Sequence, residues 1–311
     1  MKKFLSVFLT AALAVSMLAG CGSKNETVTA KVIDIDLTNE EYAFGVDKNQ
    51  PELLEKTNEF IAKIKSDGTL DEICKKYFSD GEPEAVKSAT LDTSKDQLVV
   101  ATNATFEPFE YTKGEDYYGI DMEIASLLAE KLGKELVIEN MDFDAVCLSV
   151  SQQKCDIAMA GLTINEEREK YVTFTDSYYS ASQRLIVPSN VTTFDDCKTA
   201  DDVAAKLAET KSSDQIGVQQ GTTGHLYCAD DFGEDHVNAL PNGATAVQAL
   251  LQGKVDCVVI DQEPAKAFVA ENPGLKILDT EYVTEDYAIA VKKAVSYTHL
   301  RAHETPEQLV C

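Results

Sequence analysis

An arginine and a threonine lie close to a turn of small residues in the segment from residue 156 to 179, DIAMAGLTINEEREKYVTFTDSYY. Thr163 stands where a helix is expected to begin, and Arg168 follows within its first turns. Free backbone N–H groups at a helix start attract anions, and a planar guanidinium holds a carboxylate at two points. The segment therefore predicts a carboxylate-binding site. The alternative is a surface arginine paired with Glu166 or Glu167.

A second turn of small residues, GTTG, follows the predicted strand IGVQQ and precedes a predicted helix. Gly221 allows close backbone approach, while Thr222 and Thr223 offer hydroxyl and amide donors. The lysine of a phosphate-binding GxxxxGK[ST] loop is missing from this turn. We expect a second anion-binding turn here, with an ordinary helix cap as the alternative.

An acceptor for a positively charged group is predicted at the end of the strand VDCVVID, where Asp261 stands. Its carboxylate could receive an ammonium group, or it could cap the helix that opens near Pro264. Residues that could line the same site follow other predicted strands: Asn103, Phe106, Phe109, Phe143 and Asp144. Donors for a carboxylate, an acceptor for an ammonium and apolar walls are together what a zwitterion requires.

Strands and helices alternate along the chain from Gln97 onward. The pattern predicts strands at LVVATN, ELVIEN, CDIAMAG, RLIVPS, QIGVQQG and VDCVVID, and helices at residues 121–132, 143–153, 244–252 and 264–270. Such alternation predicts an α/β fold with a mostly parallel sheet and helices on both faces. Ligands in these folds bind beyond the carboxyl ends of strands, which is where the residues described above stand.

The chain contains an internal repeat. Residues 31–49, KVIDIDLTNEEYAFGVDKN, align without gaps on residues 276–294, KILDTEYVTEDYAIAVKKA. The copies share Lys, Asp, Glu, Tyr, Ala, Val and Lys at matching positions, which indicates one structural element encoded twice. After the first copy, apolar residues recur at helical spacing in residues 51–78, on both sides of a Ser-Asp-Gly break. This spacing predicts two packed helices.

The N-terminus has the layout of an export signal. Lys2 and Lys3 precede an apolar run that ends in Leu-Ala-Gly-Cys, the acceptor pattern of bacterial lipoproteins. We therefore expect cleavage before Cys21 and lipidation of its thiol. No later apolar run approaches the roughly 20 residues that a membrane span needs. The mature protein is expected outside the cytoplasmic membrane, tethered to it by lipid.

Charge and cysteine spacing exclude several classes of function. A net charge of -25 argues against binding nucleic acid, whose phosphates it would repel. The eight cysteines form no CxxC pair, and we predict neither a metal nor a cofactor. Cys147, Cys155 and Cys257 lie in apolar settings that favour buried thiols. Cys197 and Cys228 are the pair that could form a disulfide.

Several motifs, in order, resemble the amino-acid-binding proteins of ABC importers, bacterial extracellular solute-binding family 3. They are VATNATFEPFEY, YYGIDMEIASLLAEKLG, FDAVCLSVSQQKCDIAMAGLTINEER, FTDSYY, GVQQGTTG and VDCVVIDQEPA, and the resemblance covers about residues 97–293. The resemblance implies a type II periplasmic-binding-protein fold. In it, two α/β lobes with mostly parallel sheets are joined by two crossing strands and close over one amino acid.

The same resemblance implies roles for individual residues. Arg168 would hold the α-carboxylate together with the backbone amides of Thr163 and Thr223. Asp261 would hold the α-ammonium, and Phe106 would stack on the ligand's side chain. The predicted ligand-binding set, in which the carbonyl region of Ala160 or Gly161 is a further acceptor, is Asn103, Phe106, Phe109, Phe143, Asp144, Ala160, Gly161, Leu162, Thr163, Arg168, Gly221, Thr222, Thr223 and Asp261.

The chain departs from the family pattern at its end. The family closes with a strand, two helices and a KYF-type ending, but here that ending stands at Tyr77-Phe78, after the first copy of the repeat. We infer that residues 31–78 dock on the first lobe as a permuted version of those helices; the alternative is a loose duplicated remnant. Residues 295–311 resemble a translated sequencing-adapter fragment and are assigned no function.

These observations predict an organisation in six segments. They are a signal peptide at 1–21, a linker with the partial repeat at 22–94, a first lobe at 95–183 and 281–294, a second lobe at 184–280, and an artefactual tail at 295–311. The expected function is that of a monomeric lipid-anchored receptor that delivers a polar amino acid to an ABC permease. The alternative is a periplasmic enzyme on the same scaffold, similar to a cyclohexadienyl or arogenate dehydratase.

Overall fold

The computed structural model describes residues 29–79, 81–209, 215–271 and 277–279. The predicted lipidation site at Cys21, the lobe segment at 281–294 and the tail at 295–311 lie outside these residues. The strands are β1 Ala30–Asp34, β2 Glu40–Tyr42, β3 Gly45–Asp47, β4 Gln97–Thr102, β5 Thr105–Phe106, β6 Glu110–Lys113, β7 Asp116–Tyr118, β8 Glu135–Asn140, β9 Ile157–Ala158, β10 Val172–Phe174, β11 Tyr179–Ala181, β12 Gln183–Pro188, β13 Ile216–Gln219, β14 Val237–Leu240, β15 Cys257–Asp261 and β16 Ile277–Asp279. The helices are α1 Pro51–Ser66, α2 Thr69–Phe78, α3 Ile120–Leu132, α4 Phe143–Ser151, α5 Glu166–Glu169, α6 Ala200–Ala208, α7 Thr223–Phe232, α8 Gly243–Leu251 and α9 Gln262–Glu271, with a 3₁₀ turn at Glu234–His236.

Two sheets form the centres of two lobes. The sheet of lobe 1 has the order β10-β3-β9-β4-β8, and the sheet of lobe 2 has the order β14-β13-β15-β12-β1-β16. The pairs among β4, β8 and β9 and among β13, β14 and β15 are parallel, as strand–helix alternation predicts. Each antiparallel pair within these two sheets involves β3 or β12. The predicted two-lobe α/β fold is confirmed, and its sheets are mixed because strands arriving from the other lobe add to them.

Two strand segments connect the lobes. One runs from β10 in lobe 1 through β11 to β12 in lobe 2, and the other runs from β1 in lobe 2 through β2 to β3 in lobe 1. Between the lobes, β2 and β11 pair as a separate antiparallel ribbon, with Tyr42 opposite Tyr179. The second crossing segment is thus supplied by the first copy of the internal repeat.

The helices that follow this copy pack on lobe 1. Helix α1 has proline in its first turn and buries Phe60, Ile61 and Ile64 on one face, in the apolar cluster that also contains β4 and α3 residues. At the end of α2, the Tyr77 hydroxyl donates to Glu123 at 2.8 Å, and the Lys76 ammonium lies 2.6 Å from the same carboxylate. Residues 31–78 are therefore packed into the protein: α1 and α2 lie on lobe 1, and β1 is a strand of the lobe 2 sheet.

The two copies of the repeat meet in the sheet of lobe 2. Strand β1 lies between β12 and β16, and it pairs with β16 in parallel. The register sets Val32 beside Ile277 and Ile33 beside Leu278, which are residues that the sequence repeat also aligns. Because like strands share the same pattern of alternation, the two copies lie side by side in repeat register.

The cysteines that the structure describes are free thiols. Cys147, Cys155 and Cys257 are buried, as their apolar settings predict. Cys197 and Cys228 lie in the same apolar cluster of lobe 2, but they do not form a disulfide. No helix among the described residues is long and apolar enough to cross a bilayer.

Candidate functional site

A small cavity lies between the two lobes. Its walls come from the carboxyl-terminal ends of strands in both lobes and from the turns that follow them, as expected for this fold class. The lining residues are Phe106, Phe143, Gly161, Thr163, Arg168, Gln219, Thr222, Thr223 and Asp261. Eight of these nine belong to the predicted ligand-binding set; Gln219 does not.

Arg168 reaches across the cavity from lobe 1 to lobe 2. The side chain of Asn165 caps the short helix α5 by accepting from the Arg168 backbone N–H at 2.8 Å. The guanidinium donates to the carbonyl oxygen of Thr163 at 2.7 Å and to that of Gly221 at 3.3 Å. Its carbon lies 5.1 Å from the ring centre of Phe143. Arg168 is buried, so the surface-arginine alternative is wrong.

The described residues provide no carboxylate partner for the Arg168 guanidinium. Glu167, one of the alternative partners, instead forms an ion pair with Lys170. A planar guanidinium has five N–H donors, and carbonyl oxygens leave its charge uncompensated. A buried cation of this kind stabilises an anion that can reach it, because the local dielectric is low.

The turn before α7 forms the opposite wall. Thr222 caps this helix, since its hydroxyl accepts from the His225 backbone N–H at 3.3 Å and donates to the Gln219 carbonyl at 2.8 Å. Gly221 has φ +77°, and an added Cβ would lie 3.2 Å from the Cβ of Asp144 in lobe 1. Glycine at this position thus allows the two lobes to approach closely.

Asp261 supplies an acceptor at the end of β15. Its side chain is buried, and the Tyr42 hydroxyl of the β2 strand donates to it. Burial, followed by the neighbouring charge of Glu40, raises the pKa of Asp261 to about 7. An ammonium group placed beside this carboxylate would favour its ionised form.

Glu40 lies between the lobes and was not among the predicted residues. One of its carboxylate oxygens accepts from the hydroxyls of Thr163 at 2.8 Å and Thr223 at 3.0 Å, and from the Gln183 side-chain amide at 3.3 Å. The sequence signal that points to Glu40 is the repeat itself, which places Glu285 at the matching position.

Aromatic rings form the apolar side of the cavity. Gly161 has φ +53°, and a Cβ added there would lie 3.0 Å from the Phe106 ring. The Phe106 ring centre is 6.1 Å from that of Phe109, which in turn lies 5.1 Å from that of Tyr42. Phe109 therefore supports Phe106 from the hinge side rather than lining the cavity.

The remaining predicted residues surround the cavity without lining it. Asn103 is buried where the lobes meet, and its side-chain oxygen accepts from Gln219 at 3.1 Å. Asp144 is exposed at the rim and accepts from Gln220 at 3.2 Å. Ala160 and Leu162 are buried in the apolar cluster of lobe 1. Their assignment to ligand contacts stays a prediction.

Two more acids are buried in lobe 1. Asp121 accepts from the Gly161 N–H at 3.0 Å and from the Tyr178 hydroxyl at 2.6 Å, and burial raises its pKa to about 7. Glu110 is fully buried, and neither of its carboxyl oxygens has a hydrogen-bond partner among the described residues. Burial, with a smaller contribution from Asp121, raises the pKa of Glu110 well above its ordinary value.

The geometry combines an uncompensated guanidinium and the amides of two turns with a buried carboxylate and aromatic rings. Such a set can hold a carboxylate and an ammonium on one small molecule. No group of three or more metal-ligating side chains occurs among the residues that the structure describes.

Comparisons with known proteins give a consistent picture. The family model described as bacterial extracellular solute-binding proteins, family 3, matches residues 7–80 and 98–222. The arginine-binding extracellular protein ArtP of Bacillus subtilis (strain 168) is 35% identical over 95 residues, which cover 30% of this chain and 37% of that protein. A probable histidine-binding protein of Campylobacter jejuni is 30% identical over 178 residues, covering 57% of this chain and 65% of that protein.

Solved structures agree. An ancestral arginine-binding protein bound to glutamine superposes with a TM-score of 0.53 at 33% identity, covering 66% of this chain and 87% of that chain. These relatives are binding proteins rather than enzymes, which disfavours the dehydratase alternative. The chain spans 37% and 65% of the lengths of the two curated relatives described above.

Proposed function

The chain belongs to the bacterial extracellular solute-binding proteins of family 3, and from this premise we propose that it binds an amino acid between its two lobes and delivers it to an ABC importer. The permease subunits of that importer would be its protein partners. Ligand contacts to both lobes stabilise the closed arrangement, and this differential binding is what signals occupancy to a permease.

The observation that carries this proposal is the placement of Arg168. It is a buried cation that spans both lobes, and its side-chain hydrogen bonds to the described residues go to carbonyl oxygens. An α-carboxylate in the cavity would complete its partners, and the backbone amides of Thr163 and Thr223 would add donors. Asp261 would then receive the α-ammonium.

The charge balance around the cavity favours an amino acid with a cationic side chain. Among the described residues, the Arg168 guanidinium stands against the buried carboxylates of Asp261 and Glu40. A zwitterion leaves that balance negative, whereas a ligand with one additional positive charge neutralises it. The arginine-binding and histidine-binding names of the relatives agree with this assignment.

The site of action follows from the N-terminal sequence. We propose cleavage before Cys21, lipidation of its thiol and a monomeric protein held at the outer face of the cell membrane. A test is metabolic labelling with a clickable fatty acid, in which Cys21→Ser should abolish incorporation. Labelling of the Cys21→Ser protein equal to that of the wild type would contradict the proposal.

We further propose that residues 31–78 dock on lobe 1 as a permuted version of the family's C-terminal helices. Support comes from β1 and β3, which join the sheets of both lobes, and from α1 and α2, which pack on lobe 1. Limited proteolysis tests the proposal, since rapid loss of this segment with full retention of ligand binding would contradict it.

Ligand identity can be tested with protein that starts after Cys21. Thermal unfolding would be recorded with L-arginine, L-lysine, L-histidine, L-glutamine and L-leucine. A ligand at 100 times its dissociation constant adds about 2.7 kcal/mol to the free energy of unfolding, so a true ligand raises the unfolding temperature measurably. We expect shifts with the cationic amino acids and none with L-leucine. Shifts with L-leucine alone would overturn the assignment of a cationic ligand.

A further inference from the structure

One carboxylate ties together both walls of the cavity. Glu40 is 2% exposed, and the same carboxylate oxygen accepts from Thr163 of lobe 1 and Thr223 of lobe 2 at 2.8 and 3.0 Å. Its other oxygen accepts from the Thr38 hydroxyl at 3.1 Å. Glu40 stands on the hinge ribbon, and so it contacts both lobes without lining the cavity itself.

These hydrogen bonds determine what the two threonines can offer a ligand. A hydroxyl has one hydrogen to donate and two lone pairs to accept with. Because Thr163 and Thr223 both donate their hydrogen to Glu40, their oxygens present only lone pairs to the cavity that both residues line. Each hydroxyl is thereby an acceptor, and a ligand carboxylate has to rely on Arg168 and on backbone amides.

We propose that Glu40 is a positioning residue that fixes the Thr163 and Thr223 hydroxyls as acceptors, so that the cavity selects a molecule with a protonated amino group beside its carboxylate. The proposal rests on the proposed function. An ammonium group has three N–H donors, and the two hydroxyls with Asp261 provide three acceptors on its side of the cavity.

Glu40 receives hydrogen bonds from several elements of the protein. Gln183 donates to it from β12, and with the hydroxyls of Thr38, Thr163 and Thr223 it receives four donors. Asp261 is the other acid close to Glu40, and it accepts a hydrogen bond from the Tyr42 hydroxyl.

The test compares two ligands that differ in one group. L-arginine and 5-guanidinopentanoate, which lacks the α-amino group, are titrated into protein that starts after Cys21 by calorimetry. In the Glu40→Ala protein the two hydroxyls become free to donate, so we expect the preference for L-arginine over its analogue to fall about tenfold. Glu40→Gln keeps an oxygen that accepts from both hydroxyls and should restore the preference to within about threefold of the wild type.

Matched controls separate positioning from general damage. Glu41→Ala changes the next residue of the same strand, which is only partly buried, and should leave the preference unchanged. Thr223→Val removes one hydroxyl without changing side-chain size. It should lower the preference for L-arginine over 5-guanidinopentanoate, and it provides a test even if Glu40→Ala fails to fold. Equal weakening of both ligands in the Glu40→Ala or Thr223→Val protein would overturn the proposal. A wild-type protein that binds no amino acid would overturn the proposed function and this inference with it.

Discussion

Ligand affinity should depend on pH through Asp261. Burial raises the pKa of this carboxyl to about 7, with Glu40 as the second cause. A ligand ammonium binds the ionised form, so binding must first remove the proton wherever Asp261 is protonated. The fraction of protein ready to bind therefore rises as the pH increases through 7.

The size of the effect follows from the pKa. If only the ionised form binds, the apparent dissociation constant is multiplied by about 11 at pH 6 and by about 1.3 at pH 7.5. Affinity for L-arginine should therefore improve about eightfold between these two pH values. At pH 7 about half a proton should be released for each ligand bound.

Calorimetric titration in two buffers with different ionisation enthalpies measures both the affinity and the released protons. In the Asp261→Asn protein, binding should be weak and its pH dependence should disappear, whereas Glu130→Gln on the exposed face of α3 should behave as the wild type. The His225 side chain accepts from the Gly221 N–H at 3.2 Å, in the turn that forms one wall of the site. For that reason His225→Asn is the second control, and it should retain the effect. An affinity that changes less than twofold between pH 6 and 7.5, without proton release, would refute the reasoning.

Three further predictions concern Arg168, Gly45 and Glu110. Arg168→Ala should weaken amino-acid binding by about 3–5 kcal/mol, since the desolvated carboxylate of the ligand loses its partner. The unfolding temperature of the ligand-free variant should stay near that of the control Lys170→Ala. A calorimetric affinity within tenfold of the wild type would contradict this prediction. Gly45→Ala should lower the free energy of unfolding in urea by about 1–3 kcal/mol, because its Cβ would lie 2.9 Å from a Val172 methyl carbon. An unchanged midpoint of urea unfolding would contradict this, since it would show that β10 moves aside at no cost in stability. Burial raises the pKa of Glu110, so its contribution to stability is fully present below its unfolded pKa of about 4.3 and is lost as the pH rises through the folded value. Glu110→Gln cannot ionise, and its stability relative to the wild type, measured in urea, should increase between pH 5 and 8; a constant difference would contradict this.

Much of the local structure could be predicted from the sequence. The strands and helices follow from hydrophobic periodicity, and the predicted helix 121–132 differs from α3 by one residue at its start. The turn before α7 was also predictable from its residue types, since Gly221 has positive φ and Thr222 caps the helix. These features depend on residues within a few positions of one another, and for that reason a pattern can predict them.

The candidate site was predictable in part. Arg168 and Asp261 were identified by residue type at the ends of strands, and both line the cavity. Glu40 was missed because its role depends on Thr163 and Thr223, which are distant along the chain. Gln219 was missed because a glutamine near a strand end has no distinctive chemistry by itself.

By itself, the sequence determined the family, the alternation of strands and helices and the duplication of one segment. Only the tertiary structure decided which copy of the repeat contributes β3. Gly45 of the first copy fits against Val172, whereas an alanine, the residue type that the second copy has at the matching position Ala290, would bring its Cβ too close to Val172. The tertiary structure likewise raised the pKa of Asp261 through burial, and it brought the hydrogen-bond donors to Glu40. The physical reason is the same in each case: packing space and local dielectric arise from residues that come together only when the two lobes and the hinge are assembled.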